Sequence, residues 1–182
     1  MLTSMIVSGF GGQGVMMIGK LISECAFEHG LHVTFYPSYG PEQRGGAANC
    51  TVTLSDSPIG TPVSEQIDVL CAMNQTAANK FVSQIVPGGV LLANSSLVNS
   101  AILGRDDIHI VDVDANNLAF SLGNNKVANV IMFAAYMAIA KTLPLETAKK
   151  IAMKKLARKP EFIELNSKAF DLGVEIAEKS MK

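Results

Sequence analysis

The sequence predicts an α/β fold built as three α/β/α layers around a mostly parallel, mixed sheet, ending in a helical C-terminal portion. Three observations carry this. A short apolar run, Ser4 to Ser8, enters a glycine cluster and is followed by a helical repeat. Further apolar runs then alternate with helical or turn-forming stretches up to residue 113. Beyond that point only helical periodicity remains. Strands that alternate with helices pair in parallel, because the helix carries the chain back across the sheet.

Taken in order, Ser4 to Ser8 reads as a buried first strand. After the glycines, Val15, Ile18, Leu21, Ile22 and Cys25 recur at spacings of three and four, which gives a helix one apolar face. Gly30 is placed to stop that helix, and Leu31 to Tyr36, rich in β-branched and aromatic residues, reads as a second strand. Pro37 to Ala48 holds two prolines and several glycines and is expected to be loop. Cys50 to Leu54 alternates apolar and hydroxyl side chains. It reads as a strand with one wetter face, antiparallel and at an edge, since no helix separates it from the preceding loop. Ile67 to Met73 and Gly89 to Ala93 read as buried strands flanking a helix near Thr76 to Ile85, and Ile108 to Val113 as the last strand. Helices are expected from about Asn124 to Thr142, Leu145 to Ala157 and Pro160 to Lys179. With no repeat and no low-complexity linker, residues 1–182 are expected to form a single domain.

Composition narrows the function classes. The chain has 182 residues, 15 basic against 16 acidic side chains and a formal net charge of −1. That balance argues against a general nucleic-acid or membrane-surface binder. The longest apolar run, Val130 to Ala140, is shorter than the roughly 20 residues that a membrane span needs. Only 17% of residues are charged while 48% are hydrophobic, an excess of apolar surface that fits a subunit buried in a larger assembly. Cys25, Cys50 and Cys71 are far apart and form no CxxC pair. They read as buried thiols of a reducing, cytoplasmic compartment rather than as disulfides or cluster ligands.

Two segments carry candidate chemistry. Gly9-Phe10-Gly11-Gly12-Gln13-Gly14 matches G-x-G-x-x-G between strand and helix, making the opening unit Rossmann-like. Glycines there allow a tight turn and bring backbone amides within reach of an anion at the helix start. The acidic residue that would hold an adenosine ribose is missing, since the second strand ends in Phe35-Tyr36-Pro37. The turn therefore either meets another ligand or partner group, or only packs helix against sheet. The second segment is the loop Pro37 to Asn49, in which Arg44 stands before Gly45 and Gly46. Its guanidinium suits a phosphate or a carboxylate, and an internal ion pair with Glu42 is the plain alternative. His29, His32 and His109 show no metal spacing, and Asp112 and Asp114 read as caps of a following helix. Lys149, Lys150, Lys154, Lys155, Arg158 and Lys159 read as a solvated helical face.

Together the glycine turn and Ser38-Tyr39-Gly40-Pro41-Glu42-Gln43-Arg44-Gly45-Gly46 resemble the gamma subunit of the 2-oxoacid:ferredoxin oxidoreductases, within the pyruvate/ketoisovalerate oxidoreductase catalytic domain family. The resemblance covers essentially the whole chain, and Gly88-Gly89 to Asn94 also fits it. Arg44-Gly45-Gly46-Ala47-Ala48-Asn49 looks most like the 2-oxoglutarate branch, with the branched-chain oxoacid branch close behind and the small subunit of indolepyruvate oxidoreductase as a further alternative. The resemblance implies a complex that converts a 2-oxoacid and coenzyme A into acyl-CoA and CO₂ while reducing ferredoxin. Thiamine diphosphate, Mg²⁺ and iron–sulfur clusters would sit in partner alpha, beta and ferredoxin-like delta subunits. This chain would bind none of them alone and would hold no catalytic or metal-ligating residue. Its expected binding residues, at the subunit interface near the coenzyme A path, are Gly9, Gly11, Gly12, Gln13, Gly14, Arg44, Gly45 and Gly46. No nucleic-acid or membrane partner is expected. The competing expectation is a free-standing, nucleotide-binding oxidoreductase, which rests on the glycine turn alone.

Overall fold

The computed structural model describes residues 1–39, 47–157 and 160–181. Its strands are β1 (Leu2–Phe10), β2 (His32–Tyr39), β3 (Ala47–Ser55), β4 (Ile67–Ala72), β5 (Ile85–Asn94) and β6 (His109–Val113). They form one sheet in the order β2-β3-β1-β4-β5-β6. β1, β4, β5 and β6 are mutually parallel, and β3 runs antiparallel to both of its neighbours. The α/β class with a mixed sheet is therefore as the sequence predicts.

β3 is antiparallel as expected, but it does not lie at an edge. It is inserted between β1 and β2, with Val7 opposite Cys50 and Cys50 opposite Pro37. The reason lies in its inward face: Cys50, Val52 and Leu54 are fully buried beneath the first helix, which an edge position would not provide. β2 takes the edge instead. Pro37, expected to begin the loop, lies within β2, where a missing N–H costs nothing because that side has no neighbouring strand.

The helices are α1 (Val15–Glu28), α2 (Gln75–Phe81), α3 (Ala115–Ser121), α4 (Ala128–Ala140), α5 (Leu145–Leu156) and α6 (Ile163–Ser180). α1, α3, α4, α5 and α6 cover one sheet face and share a core with Met5, Val7, Val52, Cys71, Leu92 and Val111. The other face carries α2 and the segment after β5, packed on Ile6, Leu70 and Leu91. Alternate residues of β1 and β5 go to opposite cores, as the pleat requires. α4 is buried on all sides, which accounts for its unbroken apolar run. It packs tightly on α6 at Gly173, where an added Cβ would lie 2.3 Å from the Ile131 carbonyl oxygen. Among the described residues no helix is long and apolar enough to cross a membrane.

One consequence of this topology places the site. β1 leads into α1 on one face, while its parallel neighbour β4 leads into α2 on the other. The two connections part at the C-terminal ends of these strands and leave a crevice there, the position where open α/β sheets bind ligands.

Candidate functional site

The glycine turn lies at that crevice. Gly12 has φ +97° and Gly14 has φ +80°, left-handed conformations that side chains with a Cβ resist. Gly14 is also the N-cap of α1, and a Cβ on it would lie 2.5 Å from Asn129 Nδ2. Gly9 needs space rather than a special dihedral, since its Cβ would lie 2.6 Å from Gln13 Oε1 and 2.7 Å from Met73 Cβ. Gly9 and Gly14 thus hold the turn against β4 and α4, while Gly11 and Gly12 stay exposed.

Gln13 laces the turn to the end of β4. Its Oε1 accepts from the Phe10 N–H at 2.7 Å and from Asn74 Nδ2 at 2.8 Å, and its Nε2 donates to the Met73 carbonyl at 3.2 Å. Asn74 in turn caps α2, its Oδ1 accepting from the Ala77 N–H at 2.9 Å. The network continues along the strand ends. Asn94 Nδ2, at the end of β5, donates to the Met73 carbonyl at 3.4 Å and to Asn116 Oδ1 at 2.9 Å. Ser96 Oγ accepts from the Asn116 N–H at 3.0 Å and donates to Asp114.

These elements frame a cleft of about 390 Å³ lined by Gly12, Gln13, Met73, Asn116, Lys126 and Asn129, among others. A more apolar hollow of about 260 Å³ adjoins it, sharing Lys126 and Asn129 and walled by Met17, Val130, Leu156 and Phe162. Lys126 is the one charged residue lining the cleft, among the described residues, and the other polar walls are side-chain amides and backbone. Such a surface offers hydrogen-bond donors and one positive charge without a competing carboxylate. It suits an anionic ligand, or one rich in carbonyl and phosphate oxygens.

Of the residues expected from sequence, Gly12 and Gln13 line the cleft, Gly9 and Gly14 pack the turn that carries them, and Gly11 is exposed between them. Arg44, Gly45 and Gly46 lie outside the described residues. The strands that flank them end beside the turn, because Ala47 pairs with Phe10 and Tyr39 with Ala48. Asn74, Asn94, Asn116 and Lys126 were not anticipated. The available signal was an asparagine at or just past the end of three successive strands.

The remaining candidates resolve as structural groups. Asp114 is the N-cap residue of α3 but makes no side-chain cap bond. Its carboxylate takes Asn117 Nδ2 at 3.0 Å and the Ser96 hydroxyl, and Ser96 supplies the cap. Asp112 accepts from Ser100 Oγ at 2.9 Å. Lys149 pairs with Asp171 at 2.7 Å and Lys155 with Glu24 at 3.5 Å, while Arg158 and Lys159 lie outside the described residues. All three cysteines are free and buried. Burial pushes the Cys25 and Cys50 thiols up to about 12 and Cys71 higher still, so none supplies a thiolate at neutral pH. Among the described residues no group of three or more His, Cys, Asp or Glu is placed to hold a metal. The strand beside β1 at the turn is β3, which there presents Ala47 and Ala48, so among the described residues of β3 no carboxylate stands beside the turn.

Residues 4–176 match the pyruvate ferredoxin/flavodoxin oxidoreductase family. The chain is 32% identical over 177 residues to the ketoisovalerate oxidoreductase subunit VorA of Methanothermobacter thermautotrophicus, covering 97% of this chain but 36% of that protein. It therefore spans about a third of the length of that relative. It is 31% identical over 173 residues to the 2-oxoglutarate synthase subunit KorC of Methanocaldococcus jannaschii, covering 94% of this chain and 91% of KorC. Its fold superposes on the solved keto/oxoacid ferredoxin oxidoreductase gamma subunit of Geobacter sulfurreducens with a TM-score of 0.86 and 32% identity, over 99% of this chain and 98% of that one.

Proposed function

The chain belongs to the pyruvate ferredoxin/flavodoxin oxidoreductase family, and we propose that it is the gamma-type subunit of a multi-subunit 2-oxoacid:ferredoxin oxidoreductase acting on 2-oxoglutarate. The complex would form succinyl-CoA and CO₂ and reduce ferredoxin. The observation that carries this reading is the match to KorC over nearly all of that subunit, together with the fold shared with a solved gamma subunit. The ketoisovalerate relative is as similar in sequence but is matched over a smaller share of its length. That difference favours a separate gamma-type subunit like KorC, and 2-oxoglutarate is the oxoacid named for that relative.

In this reading the chain completes a site whose redox chemistry belongs to other subunits. Thiamine diphosphate and Mg²⁺ would sit in the alpha and beta subunits, and iron–sulfur clusters in the delta subunit, since the three buried thiols here are scattered through the core and do not form a cluster's ligand set. Bound thiamine diphosphate would supply the carbanion chemistry, and the clusters would supply the electron acceptors. The cleft takes the co-substrate. Coenzyme A offers phosphate and amide oxygens as acceptors, and the cleft offers Gly12 backbone, the Asn116 amide and Lys126 as donors. Arg44, with Gly45 and Gly46 beside it, adds a guanidinium from the β2–β3 connection for a phosphate or for a carboxylate of the partner subunit.

The test is Arg44→Ala in the assembled complex. A rise in KM for coenzyme A, or weaker subunit association, is the expected outcome. Wild-type kinetics together with an intact complex would remove Arg44 from both roles. The oxoacid is read from kcat/KM for 2-oxoglutarate against 3-methyl-2-oxobutanoate, with the former expected to be higher.

A further inference from the structure

We propose that Asn94, buried behind the cleft, is a positioning residue: it sets the Asn116 amide so that its Nδ2 donates to the ligand in the cleft. The proposal rests on the reading that coenzyme A occupies this cleft.

Hydrogen-bond polarity fixes which way the two amides face. Asn94 is fully buried, so it cannot touch a ligand itself. The Met73 carbonyl can only accept, so the side of Asn94 that faces it must be the NH₂ group. The same nitrogen reaches Asn116 at 2.9 Å, which requires Asn116 to turn its Oδ1 inward. Asn116 then has its own Nδ2 left, and Asn116 lines the cleft. An asparagine amide has nearly the same shape in its two flipped orientations, so only its partners decide which atom faces a ligand. Without Asn94, the Asn116 side chain loses that constraint while its backbone stays tied to Ser96. A donor for coenzyme A then becomes a donor for part of the time and an acceptor for the rest. The chain of orientation starts at Gln13, which donates to the same Met73 carbonyl, so one backbone oxygen registers both walls of the cleft.

Calorimetric titration of coenzyme A into the assembled complex tests this. Asn116→Asp keeps an oxygen for Asn94 but replaces the donor on the cleft side, and affinity is expected to fall roughly tenfold or more. Asn94→Ser is expected to lower affinity severalfold with little change in kcat. The double variant should be no weaker than Asn116→Asp alone, because Asn94 acts through Asn116. Wild-type affinity in a folded Asn94→Ser complex overturns the proposal, and so do losses that multiply in the double variant. If Asn94→Ser does not assemble, a crystal structure of the wild-type complex with coenzyme A reads the same point. Asn116 Nδ2 should lie within about 3.2 Å of a coenzyme A oxygen, with Oδ1 on Asn94, and an Asn116 remote from the ligand contradicts it. Lys126→Ala separates the two levels. If neither Lys126→Ala nor Asn116→Asp changes affinity, the ligand is not in this cleft and the functional reading fails. If Lys126→Ala alone weakens binding, only the role of Asn94 fails.

Discussion

Gly14→Ala probes how the glycine turn is built. The added methyl group would sit at φ +80°, a left-handed conformation, with its Cβ 2.5 Å from Asn129 Nδ2 and 2.7 Å from Asn129 Cβ. The backbone costs about 1–2 kcal/mol, and forcing the methyl into a filled space costs about 1–3 kcal/mol more. Restricting the unfolded chain returns about 0.4–1 kcal/mol. The net is about 3 kcal/mol, a fall in Tm of roughly 6–12 °C for a domain of this size. Gly12→Ala is the internal control. It has φ +97° but nothing within 4 Å of the new Cβ, so only the dihedral cost remains. About 1 kcal/mol, or roughly 2–4 °C, is expected there. Urea midpoints and thermal scans on the purified chain read both. A Gly14→Ala variant as stable as Gly12→Ala would refute the claim that α4 is packed against the turn through Asn129.

Gln13→Leu should cost about 2 kcal/mol, because Asn74 Nδ2 and the Phe10 N–H both lose their acceptor; denaturant titration measures it. Gly173→Ala should lower stability by about 3 kcal/mol, the upper end for overpacking, because its Cβ meets a backbone carbonyl that cannot rotate away. The buried thiols predict a pH dependence. Cys25 and Cys50 ionise near 12 in the folded chain against an ordinary value of 9.0, so the unfolded chain releases protons first. Their stabilising effect is complete below pH 9 and should be lost progressively as pH rises toward 12, as urea midpoints would record. The same burial predicts that a thiol-alkylating reagent at pH 8 modifies none of the three cysteines in the native protein and all three after denaturation.

The sequence exposed those parts of the fold whose causes are local. The strand, glycine turn and amphipathic α1 are consecutive, so periodicity and turn chemistry were enough to identify them. β3 shows the limit. Its alternation marked a strand and its short connection an antiparallel one, but whether it joined an edge or the middle depended on α1 lying across it, a contact distant in sequence. Gly19 records that closeness, since a Cβ there would lie 2.4 Å from Cys50 Sγ, yet a glycine inside a helix does not by itself name its neighbour. α3 shows in the sequence only as a helix start at Asp114, because its seven residues bury only Ala115 and Ala119, too few for a stripe. The candidate site divides in the same way. The turn was visible as a motif, whereas Asn74, Asn94 and Asn116 come together only because three parallel strands end at one level. Polar residues at successive strand ends are the clue that the sequence carries to this cluster.

As proposed, this chain works only as part of an assembly that binds coenzyme A at the glycine turn. The most direct test of this is reconstitution, by measuring 2-oxoglutarate-dependent, coenzyme A-dependent reduction of ferredoxin with the partner subunits in the presence and absence of this chain. Activity that requires the chain, and none from the chain alone, is the result this account predicts. Full activity of the partner subunits without it, or turnover by the isolated chain, would contradict it.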